Sequence, residues 1–400
     1  MTNLPIEKFI ITNSGDFEMT ATTLFGLEGV LAEELLRLGA KDITPGKRAV
    51  TFVGDKGFMY KANFCLRTGL RILVPIRRFT VRDDANLYDR VKQIDWSEFL
   101  KVDDLLAISC SLNTDIFNHT QYISQKTKDA IVDQFREKTG QRPSVDLDNP
   151  TLRIHVHVDG NVCTLSLDSS GIPLYKRGYR ELVNLAPINE CLAAGMILLS
   201  GWQPEIEPFY DPMCGSATFS IEAGLIACNI PPGYFRQSFG FQRWADYDQA
   251  LFQKITESAI GKISDRKVNI FPSDISEEAI LKAAKNIQNA GLSEWITPVV
   301  QAFDEVKPLE ARGVVFLNPP YGERLTDEDL NLLYKEMGSV LKKNFQGYKA
   351  WLISSNFEAI NNIGLHASKK RTLLNGALEC KFQCYELYRG SKKLKNQSAV

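Results

Sequence analysis

From Ile188 onward the chain alternates short apolar runs with segments of helical periodicity, and this alternation constrains the fold more than any other property. The spacing predicts helices over 188–199, 217–228, 276–290 and 329–341. Between and after them lie strand-like runs at 207–210, 268–272, 296–302, 314–317, 349–353 and 382–387. Strands separated by helix-length crossovers cannot pair as hairpins, so a mostly parallel, doubly wound α/β sheet of the Rossmann-like kind is expected. In such a sheet ligands sit in the crevice at the carboxyl ends of the strands. The residues that follow each apolar run therefore become the candidates for chemistry.

The first 170 residues have a different rhythm. Leu27, Val30, Leu31, Leu35 and Leu38 recur at helical spacing ahead of Gly39, followed by a strand-like run at 49–53, a helix at 57–66 and an extended run at 70–81. A second cycle predicts a helix over 87–100, a strand over 105–112 and a helix over 122–138 that stops at Gly140. Leu152, Ile154, Val156 and Val158 then alternate with Arg153, His155 and His157. The turn Asp159-Gly160-Asn161 leads into a second strand at 162–167, which is a hairpin signature. This half reads as an α+β module. His155 and His157 share a strand face, as a ligand pair would, but no third ligand stands at metal-site spacing. A polar hairpin face facing RNA, and no metal, is expected.

Four hundred residues suit two or three domains, and 44% hydrophobic with 24% charged residues suit ordinary globular ones. No apolar run is long enough to span a bilayer. Residues 1–17 carry Glu7, Lys8 and Asp16 where a signal peptide needs an unbroken apolar segment, so a cytoplasmic location is expected. Eight cysteines without paired short spacing fit reduced, buried thiols rather than a disulfide framework; Cys380 and Cys384 fit a same-face pair on one strand. The net charge of −1 excludes binding to polyanions by bulk charge. Any such contact has to be local, and Arg77, Arg78 and Arg82, or Lys176, Arg177 and Arg180, are the basic clusters available.

Three strand ends carry the chemistry. Asp211-Pro212-Met213-Cys214-Gly215-Ser216-Ala217-Thr218 follows the first strand of the second half. Its small residues let a ligand approach backbone N–H groups, while a leading carboxylate would repel a phosphate and favour an ammonium. Asp274 follows the second strand, where a carboxylate can accept from both hydroxyls of a ribose. Capping of the next helix competes for it, because Ser276 and Glu278 come close behind. Asn318-Pro319-Pro320-Tyr321 follows the apolar run 314–317. The Asn318 side-chain carbonyl and the Pro319 backbone carbonyl can each accept from one exocyclic NH2 group. Pro320 stiffens the loop, and Tyr321 offers a stacking face. That set suits amine methylation on a planar substrate.

Together these motifs, with Tyr175-Lys176-Arg177-Gly178-Tyr179-Arg180, resemble the THUMP-containing class I S-adenosylmethionine-dependent RNA methyltransferases. Within them the likeness is greatest to the bacterial large-subunit ribosomal RNA guanine-N2 enzymes, once labelled N6-adenine-specific DNA methylases. The resemblance implies a ferredoxin-like α+β segment at 1–60, a THUMP RNA-binding domain at 61–170, a linker at 171–187, a methyltransferase domain at 188–390 and a tail at 391–400. It implies S-adenosyl-L-methionine as cofactor, held by Asp211, Met213, Cys214, Gly215, Ser216, Thr218, Asp274, Ile275 and Asp304. Catalysis would fall to Asn318, Pro319, Pro320 and Tyr321, and RNA contact to Lys176, Arg177 and Arg180, with 23S ribosomal RNA as the implied substrate. The chain departs from the family at Ala217, where glycine is usual, and at the third acidic position, where Phe303 precedes Asp304. A transfer RNA guanine-N2 enzyme, an adenine-N6 DNA methyltransferase and a non-catalytic RNA-binding assembly factor remain as alternatives.

Overall fold

The computed structural model describes residues 6–8, 15–181, 188–320 and 326–388. It divides into two compact units: Met1–Thr23, Leu31–Leu174 and Arg236–Ser258 form the first, and Leu24–Val30, Tyr175–Phe235 and Ala259–Val400 the second.

The first unit is built on one sheet. Its strands run in the order Lys41–Pro45, Ala49–Gly54, Phe17–Thr22, Arg71–Thr80, Val162–Asp168, Leu152–Asp159, Leu105–Asn113 and Ser144–Val145; Glu7–Lys8 also pairs with Arg71–Thr80. Arg71–Thr80 is ten residues long, which lets it pair with Phe17–Thr22 and with Val162–Asp168 and so fuse the two cycles. The hairpin is as its alternation predicts: Asp159 pairs with Val162 across the turn, and Gly160 has φ +55°. The helix predicted over 87–100 is instead broken into Asp84–Lys92 and a 3-10 turn, Trp96–Glu98. Asp95 accepts from the Ser97 N–H (3.2 Å) and caps the second piece, while the buried Trp96 ring donates to the Val91 carbonyl (2.9 Å). Local capping and a buried indole override helical spacing here.

His155 and His157 are hydrogen-bonded to hydroxyls of the neighbouring strand. The His155 ring lies between Ser109 Oγ (3.0 Å) and Ser111 Oγ (2.9 Å), and Ser111 Oγ also meets His157 Nδ1 (2.8 Å). Burial depresses His155 to about 4, so its imidazole is neutral near pH 7. Among the described residues no cluster could hold a metal ion. Residues 236–258 contribute an aromatic group to this unit: Phe241 stacks on Tyr60 at 4.4 Å, and the Asp248 N–H donates to the Tyr60 hydroxyl (3.0 Å).

The second unit contains the doubly wound sheet. Its strands are β1 (Phe209–Asp211), β2 (Ile270–Asp274), β3 (Val299–Val300), β4 (Val314–Leu317), β5 (Lys349–Ser354), β6 (Lys369–Asn375) and β7 (Leu378–Glu386). The order is 3-2-1-4-5-7-6, parallel except for β7, which runs antiparallel to both β5 and β6. Helices α1 (Glu190–Ser200), α2 (Thr218–Ala227), α3 (Glu277–Asn289) and α4 (Asp327–Asn344) complete the unit. Two apolar layers cover the sheet. One gathers Leu192, Phe219, Ile287, Phe316, Trp351 and Phe382; the other gathers Tyr210, Leu317, Tyr334, Leu341, Leu352 and Tyr385. Strands buried on both faces read as continuous apolar runs, and Val314–Leu317 is buried at every position. All eight cysteines are free thiols, and Cys380 and Cys384 pack into the first layer from one face of β7. Among the described residues no helix is long and apolar enough to cross a membrane.

Candidate active site

The strand order reverses at β1, because β2 lies to one side of it and β4 to the other. Loops leaving adjacent carboxyl ends at such a point diverge and leave a crevice. A cleft of about 1390 Å³ opens there, lined by the loop after β1, by Asp274 to Ser276, by Ala302 to Asp304, by Asn318 to Pro320 and by one side of α4.

The loop after β1 is tied down by backbone donors. The Cys214 N–H donates to the Ser273 carbonyl (2.9 Å), and the Ala217 N–H closes a turn onto the Cys214 carbonyl (2.7 Å). The Gly215 N–H donates to Asp274 Oδ2 (2.9 Å), and the Ser276 N–H to Asp274 Oδ1 (3.0 Å). Asp274 thus clamps two loops together while each oxygen keeps a second lone pair for a ligand. Capping of α3 belongs to Ser276, whose hydroxyl accepts from the Ala279 N–H (3.2 Å). Ile275, 77% exposed, projects beside it at the cleft wall.

Ala217 adopts φ +63°, the left-handed region that glycine enters freely, and is fully buried. The conformation costs a non-glycine residue roughly 1–2 kcal/mol. Burial of its methyl returns about 0.8 kcal/mol, and the smaller unfolded-state freedom of alanine a further 0.4–1 kcal/mol. The terms nearly cancel, so alanine is tolerated at this turn.

Asp211 is 1% exposed and lies behind the loop rather than on the cleft surface. Its Oδ2 accepts from Ser220 Oγ (2.8 Å), while Oδ1 is buried with no hydrogen-bond partner among the described residues. Burial, with the nearby charge of Asp274, raises its carboxyl to about 7. A buried carboxylate oxygen without a donor is costly unless a ligand supplies one. An orphaned acid behind a small-residue loop, a clamped carboxylate on the next strand and a roomy cleft fit the ammonium, ribose and adenine of S-adenosylmethionine. Cys214 is 8% exposed, and burial beside Asp211 and Asp274 pushes its thiol well up, which makes it inert.

Phe303 and Asp304 both line the cleft, in a short 3-10 turn. Asn344, at the end of α4, fixes that turn by donating from Nδ2 to the carbonyls of Asp304 (2.9 Å) and Val306 (3.0 Å). Nothing in the local pattern marked Asn344, because its partners are remote in the chain. Asn318 lines the cleft half-buried, Pro319 is buried and Pro320 is exposed. Tyr321 lies outside the described residues. Met213, Gly215, Ser216 and Thr218 all reach the cleft wall.

The expectation that Lys176, Arg177 and Arg180 form an RNA-facing cluster is corrected for two of the three. Arg177 is 1% exposed and pairs with the fully buried Glu222 (Nε to Oε1, 3.3 Å), to which the Tyr179 hydroxyl also donates (3.0 Å). Burial works against the Arg177 charge, but the Glu222 carboxylate more than offsets it. Arg180 pairs with Glu190 (3.2 Å) and donates to the Ile188 carbonyl (3.0 Å) and to Thr218 Oγ1 (2.7 Å). Lys176 alone of the three is exposed. An Arg-rich run shows cationic content, not the acids that will be folded against it.

Comparison with known proteins agrees with this architecture. Residues 177–383 match the methyltransferase domain described as RMKL-like, residues 81–168 the THUMP domain and residues 18–73 the RlmL ferredoxin-like domain. The Synechocystis sp. protein slr0064, provisionally named an RNA methyltransferase, is 39% identical over 370 residues, covering 92% of this chain and 96% of that one. Ribosomal RNA large subunit methyltransferase K/L of Methylococcus capsulatus is 39% identical over 375 residues, covering 92% of this chain and 51% of that one, so the chain spans about half its length. SMU.472, provisionally named a methyltransferase and crystallised with S-adenosylhomocysteine, superposes with a TM-score of 0.83 at 30% identity, covering 94% of this chain and all of that one. The cleft, the domain matches and these relatives make the chain a member of the RMKL-like family of S-adenosylmethionine-dependent methyltransferases, with THUMP and RlmL ferredoxin-like domains ahead of the catalytic one.

Proposed function

We propose that this protein methylates the exocyclic N2 amine of a guanine in large-subunit (23S) ribosomal RNA, and that it does so in the cytoplasm. The observation that carries the reading is the position of Asn318 and Pro319 at the carboxyl end of β4, on the wall of the same cleft as Asp274 and the loop after β1. When bound, S-adenosylmethionine supplies an electrophilic sulfonium methyl group. Asp211 holds the ammonium of its methionine end, with Met213 to Ser216 and Thr218 around it. Asp274 accepts from the ribose, and Ile275 and Asp304 border the adenine.

Asn318 Oδ1 and the Pro319 carbonyl oxygen each accept one N–H of the target amine. This aims the nitrogen lone pair along one line and is worth much of the barrier through orientation alone. No strong base is required before attack, because the amine proton becomes acidic as nitrogen gains positive charge. A paired guanine hides this amine, so the base is unpaired or flipped out when it enters, and Tyr321 stacks on its face. Residues 61–170, as a THUMP domain, read the RNA by its shape and backbone. The guanine-N2 assignment rests on the resemblance of the Asp211–Ser216, Tyr175–Arg180 and Asn318–Tyr321 motifs to the guanine-N2 enzymes, since the same pair of acceptors would also suit an adenine N6 amine.

Asn318→Ala separates the roles. Transfer of labelled methyl should fall by at least about a hundredfold, comparable to the loss of a catalytic hydrogen-bonding group, while cofactor affinity stays near wild type. Full activity in that variant would sink the assignment. Offering ribosomal RNA, transfer RNA and DNA separately to the wild type tests the substrate; labelling of DNA or transfer RNA in place of ribosomal RNA would replace this reading with the matching alternative.

A further inference from the structure

The second unit has another hollow, of about 390 Å³, between the 3-10 segment Ala359–Ile363 and strands β6 and β7. His366, Lys370, Arg371 and Lys381 line it, and no carboxylate does. Among the described residues none of these four side chains is paired with an acid. Lys381 instead places its Nζ 4.4 Å from the centre of the Phe357 ring, which is 37% exposed. Between them stands Gln383, only 7% exposed, whose Oε1 accepts from the Tyr385 hydroxyl (2.8 Å). The Nε2 group of Gln383 makes no hydrogen bond among the described residues and is left as a donor at the hollow's wall. An amide donor that opens onto a hollow lined by cations has the chemistry of an anion site.

Lysines on an exposed edge strand have another use, since they discourage pairing with a second sheet. That accounts for cations on β6, which is the sheet edge, but not for Lys381 and Gln383. They belong to β7, which is paired on both sides by β5 and β6. The hollow is also close to the reaction centre. Leu317, the residue before Asn318, is level with Leu352 on β5, and Leu352 is level with Gln383 on β7. Two strand spacings are about 10 Å.

We propose that this hollow holds a backbone phosphate of the RNA substrate, flanking the nucleotide that enters the cleft. The proposal rests on the RNA methyltransferase reading above and adds to it a positioning interaction outside the cofactor cleft. Phosphate contacts fix register on a nucleic acid without reading its sequence, which suits a position beside a flipped base.

The test uses the full chain, with Lys370→Gln combined with Lys381→Gln, and separately Gln383→Glu, which places a carboxylate where the amide was. RNA affinity is measured over a series of KCl concentrations, alongside cofactor affinity and thermal stability. The lysine variant is expected to bind RNA about tenfold more weakly, and the slope of log affinity against log salt should be shallower by roughly 0.7, the value for one phosphate no longer neutralised. It should raise KM for RNA while kcat and cofactor affinity are unchanged. Gln383→Glu should weaken RNA binding in the same direction; if it unfolds, the lysine variant decides alone. Wild-type affinity and salt slope in the lysine variant overturn the proposal. Inorganic phosphate is the second probe: stabilisation of the wild type but not the variant by phosphate, with RNA binding equal in both, would make this a free-phosphate site and also overturn it. Failure of the wild type to bind or methylate any RNA is a separate result, which removes the RNA reading and this proposal with it.

Discussion

Asp211→Asn offers a direct measure of what the cofactor contact proposed at Asp211 costs the fold. Burial raises this carboxyl from its ordinary 3.8 to about 7. The folded chain therefore keeps a proton that the unfolded chain has released across that interval. Its contribution to stability is complete below about pH 3.8 and is lost as pH rises through about 7. At 1.36 kcal/mol per unit, a gap of about three units is roughly 4 kcal/mol, a large share of the 5–15 kcal/mol that holds a typical domain together. Asparagine keeps a carbonyl oxygen for Ser220 and cannot ionise. Urea unfolding of both proteins at stepped pH should show the variant gaining on the wild type by about 4 kcal/mol between pH 4 and 8, with the difference level above that. Other titrating groups are common to both proteins and largely cancel. A difference that stays within about 1 kcal/mol across the range, or that grows toward acid, would refute the reasoning. The same variant should bind S-adenosylmethionine about ten- to a hundredfold more weakly by calorimetry, since a charged hydrogen bond is worth about 1.5–3 kcal/mol.

Two further predictions concern packing. Arg177→Met strands the buried Glu222 charge and should cost about 3–5 kcal/mol in denaturant unfolding, whereas Arg177→Met with Glu222→Leu should recover most of it; unchanged stability in the single variant would return Arg177 to the surface. Gly338→Ala would place a methyl group against the Ile363 carbonyl where α4 crosses the 3-10 segment. A loss of about 1–3 kcal/mol in unfolding free energy is expected, and no loss would mean that the segment yields without strain.

Much of the second unit is legible in the sequence because periodicity is local. The run Val314–Leu317 and the strands around it announce burial on both faces by composition alone, and the loops at their carboxyl ends are then the places to look. Strand β6 is not legible in this way: Lys369–Asn375 is mostly exposed and charged, so its only structural signal is the partner β7. Residues 236–258 run into a helix, Gln249–Ile260, that the sequence reading does not name, and the aromatic residues ahead of it are placed by stacking on Tyr60, which is far away in the chain. In the front half, alternation locates the hairpin, but not the fusion of two cycles into one sheet by Arg71–Thr80, since strand pairing is a long-range choice.

By itself, the sequence determined the class of fold, the carboxyl-end loops that hold Asp274 and Asn318, and the small-residue turn after β1. These follow from spacing and from the stereochemistry of Gly, Pro and Ala. Only the tertiary structure decided what each charge faces. It buried Arg177 against Glu222, set Arg180 between Glu190 and Thr218, left one oxygen of Asp211 without a donor among the described residues, and gathered Lys370, Lys381 and Gln383 around one hollow. The physical reason is that the worth of a charge is set by its partners and its burial, and both are assembled from residues far apart in the chain.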